Sequence, residues 1–512
     1  MLGRKQRLEP KLFYHSVSLE QRVGPDHPLR RIKNAVNFDF ARKRVAGLYG
    51  SSGNQSVDPA VILKLIFLLF YENIKSERAL AAQLPLRMDW LWFCGYDLDD
   101  TTPNHSILSK ARQRWGEEVF AEFFQNILGQ CIQAGLVDGQ TIHVDSSMID
   151  ANAGKDKLRG QLREVGGKIY QQLDNQTESK NVDKTADAND LPKLHSTADK
   201  GQDEPSELEK RVSPVDPDAR LGRKYSKTTL GYKDHRVVDD KCGIVTATLT
   251  SPANVNDEKR LIEAIETHQQ NTAIEVRTAV ADKAYGIGEN YAYLRQNRIT
   301  PCISHQRYDT QQDPEFTVRK FIYDKSNDSY LCPAGQRLTR KQIKREKNAV
   351  VYQIDRAVCR QCRYFQRCVS SSQSGRQVQR SFYQDDYEWA DHCLSRYQRK
   401  RLMARRKARA EGSFADAANN HGFKRARWRG IAKVRIQNLM IAAIQNLRKL
   451  LKGFGVGQTA VTTVSGLFKL QLTLQILRPI LYFAVGHIWR KIDAIKEFLP
   501  AREQYNVAYD ES

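Results

Sequence analysis

Apolar residues recur at helical spacing over the first 135 or so positions and then switch to strand-like alternation. Asp58 followed by Pro59 is an N-cap with proline in the first turn, and it opens VILKLIFLLFY, a helix apolar on most of its surface. Ser76 caps SERALAAQL, Thr102 with Pro103 starts a helix through HSILSKARQRW, and Glu117 to Ala134 predicts another that stops at Gly135. The period changes at Gly139. GQTIHVDSS alternates as a strand, and the polar Ser146 and Ser147 are expected to end it, which puts Asp145 near its exit. Gly231 to Asp240 and Ile244 to Ser251 read as a hairpin around the turn at Asp239 to Gly243. A helix through DEKRLIEAIETHQ follows, then the short strand in TAVADKAYG that delivers Asp282 at its end. A helix near Glu289 to Gln296 and the strand ITPCIS complete the series.

Two stretches interrupt this pattern. Lys155 to Val212 is rich in Lys, Asp, Glu, Ser, Gln and Thr and carries too little apolar surface to offset its ordering entropy, so a loosely structured insertion is expected. His305 to Asp385 is polar and holds four of the cysteines. From Tyr387 the pattern is helical again, and IAKVRIQNLMIAAIQNLRKLL after Gly430 has the apolar spacing of a core-packing helix. The expected organisation is an all-helical region over 1–136, a first core segment over 137–304 containing the 155–212 insertion, and a cysteine-containing insertion over 305–385. A second core segment over 386–452 and a helical extension over 453–512 follow. No internal repeat is visible.

Composition narrows the partners. The formal charge of the 512-residue chain is +22, with a pI of about 9.5, an excess that attracts polyanions and makes binding to them salt-dependent. Nucleic acid leads over acidic lipid, which would need an amphipathic membrane helix or an anchor, and the apolar runs Val61 to Tyr71 and Leu467 to Val485 are too short or too interrupted to span a bilayer. No secretory signal opens the sequence, and nine cysteines without one point to a reducing, cytoplasmic setting. The helix bearing Lys110, Arg112 and Arg114 fits either a helix-turn-helix-like DNA contact or a solvated bundle face.

Two sets of residues carry candidate chemistry. Cys332 in a CPAG knuckle, with Cys359, Cys362 and Cys368, supplies the four thiolates of a closed tetrahedral zinc site, or else four reduced thiols in a small β-rich module. Asp145 and Asp282, each at a strand end, are a ready place for a divalent cation, and a third carboxylate would allow two metal ions to clamp a phosphodiester. Glu411 is the acid embedded in RRKARAEGSF, within a run from Arg396 to Lys452 whose only acids are Glu411 and Asp416. It reads as a metal ligand beside a phosphate-binding surface or as an ordinary i, i+4 ion pair with Lys407. Asp150, Asp239, Asp240, Asp257 and Glu258 are explained by turns, caps and the helix dipole.

Read in order, HPLRRI at 27–32, SVDPAVILKLIFLLFYENIKSERAL, HVDSSMIDANA, GYKDHRVVD, ANVNDEKRL, VADKAYG, YLCPAG and EGSFADAANNHGFKRARWRG resemble bacterial insertion-sequence transposases of the DDE superfamily over most of the chain. The resemblance implies a multidomain α+β fold. Its parts are an N-terminal all-α domain, an RNase H-like mixed sheet with a large insertion, and an α-helical C-terminus. It implies Asp145, Asp282 and Glu411 as catalytic ligands of Mg²⁺ or Mn²⁺, a possible structural zinc, and terminal inverted repeats and target DNA as partners. A homodimer on DNA and a nucleoid-associated, non-membrane location are also implied. Against the family pattern Y-x2-R-x3-E-x6-K, Ala404 stands at the tyrosine position, Lys407 at the arginine position and Ala418 at the lysine position. Lys407, Lys424, Arg425, Arg427 and Arg429 are the expected DNA contacts near the glutamate. A catalytically inactive DNA-binding descendant and a nuclease of the same fold without strand transfer remain the alternatives.

Overall fold

A computed structural model of the protein describes residues 17–50, 55–154, 159–160, 211–224, 227–305, 314–369 and 375–453. The expected 155–212 insertion and the 453–512 extension lie almost wholly outside the described residues. Among those described, the region before residue 135 is helical throughout, as its apolar spacing predicts. Helix α1 (Pro59–Tyr71) is capped by Asp58, whose side chain accepts from the Ala60 amide, and nine of its residues are buried. Helix α2 (His105–Trp115) begins two residues later than Thr102 suggested, because the Asn104 side chain takes the Ser106 amide and so acts as the cap.

The sheet that follows has strands β1 (Thr141–Asp150), β2 (Lys227–Asp239), β3 (Val245–Pro252), β4 (Thr278–Ala281) and β5 (Thr300–Cys302) in the order β3-β2-β1-β4-β5. A short strand, Arg220–Lys224, pairs with the first residues of β2. β1 and β2 are antiparallel, as are β2 and β3, whereas β1, β4 and β5 run parallel. Helices α3 (Leu261–Thr272) and α4 (Gly288–Gln296) connect β3 to β4 and β4 to β5. One correction concerns β1. It does not stop at Asp145 but continues to Asp150, because β2 pairs with it along that whole length. The serines are tolerated because Ser146 Oγ donates to Asp257 at 2.8 Å and Ser147 Oγ accepts from Lys424 Nζ at 2.7 Å. Only the parallel pairing ends there, at Val144 opposite Ala281.

Alternation along β1 and β2 sends side chains to two different cores. Ile142, Val144 and Val237 pack with Leu261, Ile265, Tyr291 and Leu294 of α3 and α4. Ile149, Tyr232 and Val238 join a larger core with Phe414, Phe423, Ile441 and Ile444, and the same core includes Leu63, Phe67, Phe70 and Phe123 from the N-terminal helices. Helices α5 (Arg396–Arg406), α6 (Gly412–His421) and α7 (Ile431–Gly453) complete this side. Residues 322–381 form a separate five-stranded antiparallel sheet with its own small core around Tyr330, Leu338 and Tyr352, the β-rich module expected around the cysteines. No helix among the described residues is long and apolar enough to cross a membrane.

A buried histidine on α3 gives the fold an acid sensitivity. His268 hydrogen-bonds Thr246 Oγ1 at 2.7 Å and the Gly139 carbonyl at 3.0 Å, and burial pushes its pKa down to about 4. The folded value lies below the unfolded one, so this stability is complete above the ordinary histidine range and is lost as pH falls towards 4. Urea denaturation should show a loss of about 2 kcal/mol from this group between pH 7 and pH 5. His268→Gln should remove that component of the pH dependence. An unchanged pH profile in the variant would assign the acid sensitivity elsewhere.

Candidate functional site

Asp145 and Asp282 are brought together by strand register. Val144 faces Ala281 across the parallel pair, so the next residue of each chain, Asp145 and Asp282, stand side by side where β4 ends. Asp282 also caps the short turn after β4, its Oδ1 accepting from the Ala284 amide at 2.8 Å. Tyr285, completely buried in that turn, has its hydroxyl pushed well above its usual range by burial first and then by the charges of Asp257, Asp145 and Asp282. Asp257 is therefore a further acid near this point, linked to Ser146 and paired with Lys233 Nζ at 3.0 Å.

Glu411 approaches from the other side. Arg236 lies directly across from Asp145 on β2 and is fully buried. It pairs with Asp234 at 2.7 Å, donates to Ser413 Oγ at 3.1 Å and Gln445 Oε1 at 2.9 Å, and stacks against Phe414 and Phe423. These contacts fasten the start of α6, and hence Glu411 just before it, onto the strand face that carries Asp145. Between α5 and α6 the backbone forms a π turn over Lys407–Glu411. The wider turn decides which basic residue meets the glutamate. Arg406, five residues earlier, donates to Glu411 Oε1 at 3.3 Å and lies 3.3 Å from Asp145 Oδ2. Lys407, four residues earlier and expected at the arginine position, is exposed. The neighbouring Arg405 pairs with Asp240 at 2.8 Å, which also takes the buried His143 at 2.8 Å, and Arg409 donates to the Lys241 carbonyl at 2.8 Å. Glu388, the other acid that could have stood in for Glu411, lies on a separate helix, where it accepts from Gln384 and faces Arg380.

The carboxylates do not stand as a finished cation site. Among the described residues no three His, Cys, Asp or Glu side chains come close enough to hold a metal ion. A guanidinium, that of Arg406, stands between two of the three candidate acids. The donor set still suits a hard divalent cation, being all oxygen and at the edge of a basic surface.

The cysteines gather at one place in the 322–381 module. Cys332, Cys359, Cys362 and Cys368 line a common cavity of about 30 Å³. Backbone amides of Gln336 and Arg376 point at the sulfurs of Cys332 and Cys359, at 3.3 and 3.5 Å. Burial raises the thiol of Cys359 and pushes that of Cys368 up to about 11. The four thiols line one cavity, two of them facing amide donors, but no three of them come close enough to hold a metal ion as they stand.

The expected DNA contacts divide into two groups. Asp150 exchanges backbone hydrogen bonds with Lys424 and Ala426, which lays Lys424 and Arg425 along the end of β1. Lys424, Arg425 and Arg429 are exposed, and Lys424 reaches Ser147, on the same strand face as Asp145. Lys110 and Arg114 are exposed on α2. Arg112 and Arg427, in contrast, are structural. Arg112 is buried, paired with Glu77 and stacked on Trp428 at 3.8 Å. Arg427 donates to the carbonyls of Leu69, Ile74 and His421 and lies over Phe70, closing the end of α1. Burial lowers the pKa of each to about 10. A guanidinium enclosed by the fold and held against rings, as both of these are, is not presented to a phosphate at the surface. Arg406 and Arg236, which nothing in the linear spacing marked, are the side chains that folding places beside the candidate acids.

Two family models match the chain. A family model described as a transposase domain (DUF772) matches residues 17–114, and one described as a transposase DDE domain matches residues 331–451. The second match spans the four cysteines and Glu411 but not Asp145 or Asp282. A search of curated proteins found no match. By its domains the chain is a transposase. More narrowly, the pairing of these two domains supports the resemblance to insertion-sequence DDE transposases.

Proposed function

We propose that the chain cuts the ends of its insertion element and transfers them to target DNA by metal-dependent phosphoryl transfer on an RNase H-like core. The observation that carries this is the placement of Asp145 beside Asp282 by parallel register, with Glu411 joined to Asp145 through one guanidinium. The strand order β3-β2-β1-β4-β5, with β2 antiparallel to its neighbours and β1, β4 and β5 parallel, supports the RNase H-like description. Mg²⁺ or Mn²⁺ held by the three carboxylates would supply an activated water, later a DNA 3′-hydroxyl, and stabilisation of the departing oxygen. Asp282, held by its cap, and Asp145, held by β1, orient two ligands from rigid elements. Glu411 brings the third on the α5–α6 turn. Lys424, Arg425 and Arg429 line the exit of β1, where they would neutralise backbone phosphates, and Lys110, Arg114 and Lys407 extend the basic surface. Two ends joined in one reaction call for two copies of the chain on DNA, in the cytoplasm where the element resides.

The test uses the full chain, duplexes carrying the element's own termini and a supercoiled target plasmid. With Mg²⁺ it should give cut ends and joined products, both abolished by EDTA. Glu411→Gln should reduce both about 10³-fold or more. Cutting without joining by the unaltered chain would favour a nuclease. Binding without cutting would favour an inactive DNA-binding descendant, which the intervening Arg406 side chain specifically invites. For the cysteine module, metal analysis of the purified chain should find about one zinc per chain. Cys362→Ser should lose that zinc and lower the melting temperature of the protein. Full zinc content in the variant would remove Cys362 from the ligand set.

A further inference from the structure

Arg406 is placed where a cation belongs. Its guanidinium lies between Asp145 Oδ2 and Glu411 Oε1, 3.3 Å from each. Its side chain is only 12% exposed, against 47% for Glu411, so its charge acts on the acids from the sheltered side of the pair. The backbone is bent to put it there. A π turn is rare and is frequently found at functional sites, and here it places a residue five positions before Glu411 beneath the glutamate.

The contact is also poorly satisfied as a permanent bridge. A guanidinium built into a fixed ion pair normally offers two parallel N–H groups to a carboxylate at about 2.8 Å. Arg406 makes one hydrogen bond to Glu411, at 3.3 Å. Its Nε and the nitrogen facing Asp145 are buried without a hydrogen-bond partner. Arg236, close by on β2, leaves only one nitrogen unpartnered and engages Asp234, Ser413 and Gln445 with the others. Arg406 is thus held by charge more than by directed bonds, and the energetic cost of moving it is small.

We propose that Arg406 is a placeholder for the divalent cation: it neutralises Asp145 and Glu411 in the metal-free chain and must leave them for the metal to enter. Cation and guanidinium compete for the same oxygens. The protein therefore binds metal more weakly than its three carboxylates alone would, and folds stably without it. Released from the acids, the guanidinium stays beside them, a position suited to a DNA phosphate. This inference rests on the three-carboxylate assignment, so the test must separate the two.

The experiment measures Mn²⁺ binding to the full chain by calorimetry and by metal-dependent thermal shift, without DNA and independently of turnover. Arg406→Ala should bind Mn²⁺ about tenfold more tightly than the unaltered chain, the worth of one partly exposed ion pair. It should melt lower in EDTA and recover with saturating Mn²⁺. Arg406→Lys, which keeps the charge, should lie between. Arg401→Ala, an exposed arginine on the same helix, removes the same charge away from the acids and should leave affinity unchanged within about twofold. Asp282→Asn should bind Mn²⁺ weakly. If Arg406→Ala binds Mn²⁺ no more tightly than the unaltered chain while Asp282→Asn loses it, the carboxylate assignment stands and the placeholder role is wrong. If the unaltered chain and Arg406→Ala both fail to bind Mn²⁺, the assignment itself falls, and the inference with it. Equal tightening in Arg401→Ala would reduce the effect to net charge and overturn the specific role of Arg406.

Discussion

Asp282→Asn should abolish cleavage of element ends, by about 10³-fold or more, while leaving affinity for the same DNA within about twofold. The substitution is chosen because it separates charge from shape. Asn keeps the Oδ1 acceptor that caps the turn at Ala284, so the Lys283–Tyr285 turn and the end of β4 should be retained. What it removes is one of the two negative charges that register sets side by side. The exposed basic residues expected to carry DNA affinity, Lys424, Arg425 and Arg429, lie along β1 and after α6 and do not depend on that charge. Cleavage is read on end-labelled duplexes in Mg²⁺, and binding by mobility shift at one fixed salt concentration, since affinity for DNA varies steeply with salt. A variant that lost cleavage and binding together, with its fold intact by circular dichroism, would show that Asp282 serves DNA contact and not the metal.

The second large effect concerns stability. Arg236→Ala should destabilise the protein by about 3 to 5 kcal/mol, the range for removing one partner of a buried ion pair. Asp234 would then stand fully buried without its counter-charge, and burial already pushes its carboxyl upward. The rings of Phe414 and Phe423 would lose the guanidinium between them, and Ser413 and Gln445 a shared donor. The double substitution Arg236→Met with Asp234→Asn should recover a good part of the loss, because it removes the unpaired charge and restores apolar volume. Urea denaturation of the three proteins checks this. A single-variant loss under about 1 kcal/mol would mean that α6 is held to the sheet by apolar packing alone. Because α6 follows Glu411, the Ala variant should also lose cleavage at temperatures where it remains folded.

Much of the fold was legible because local pattern and tertiary demand coincide. The N-terminal helices are marked by their caps and apolar spacing, and the hairpin by its turn residues. The strand before Asp282 is marked by a short apolar run. Where local chemistry and tertiary contacts disagreed, the sequence misled. Ser146 and Ser147 argued for the end of a strand that in fact continues, because Asp257 and Lys424 satisfy their hydroxyls from outside the strand. Arg112 and Arg427 carried the charge expected of DNA contacts, yet Trp428, Glu77 and the carbonyls at the end of α1 claim them. Charge is visible in a sequence, but its solvent exposure is not.

The three candidate acids and the four cysteines could be listed from the chain itself, since candidate ligands are a matter of residue type and of position at strand ends or in a knuckle. Two things were settled only by folding. Parallel register, a contact between residues more than a hundred positions apart, sets Asp145 beside Asp282. The π turn changes the helical period by one residue, so that Arg406 and not Lys407 lies under Glu411. Spacing in a sequence becomes an angle around a helix only once the hydrogen-bond period is known, and that period is fixed by what the turn packs against.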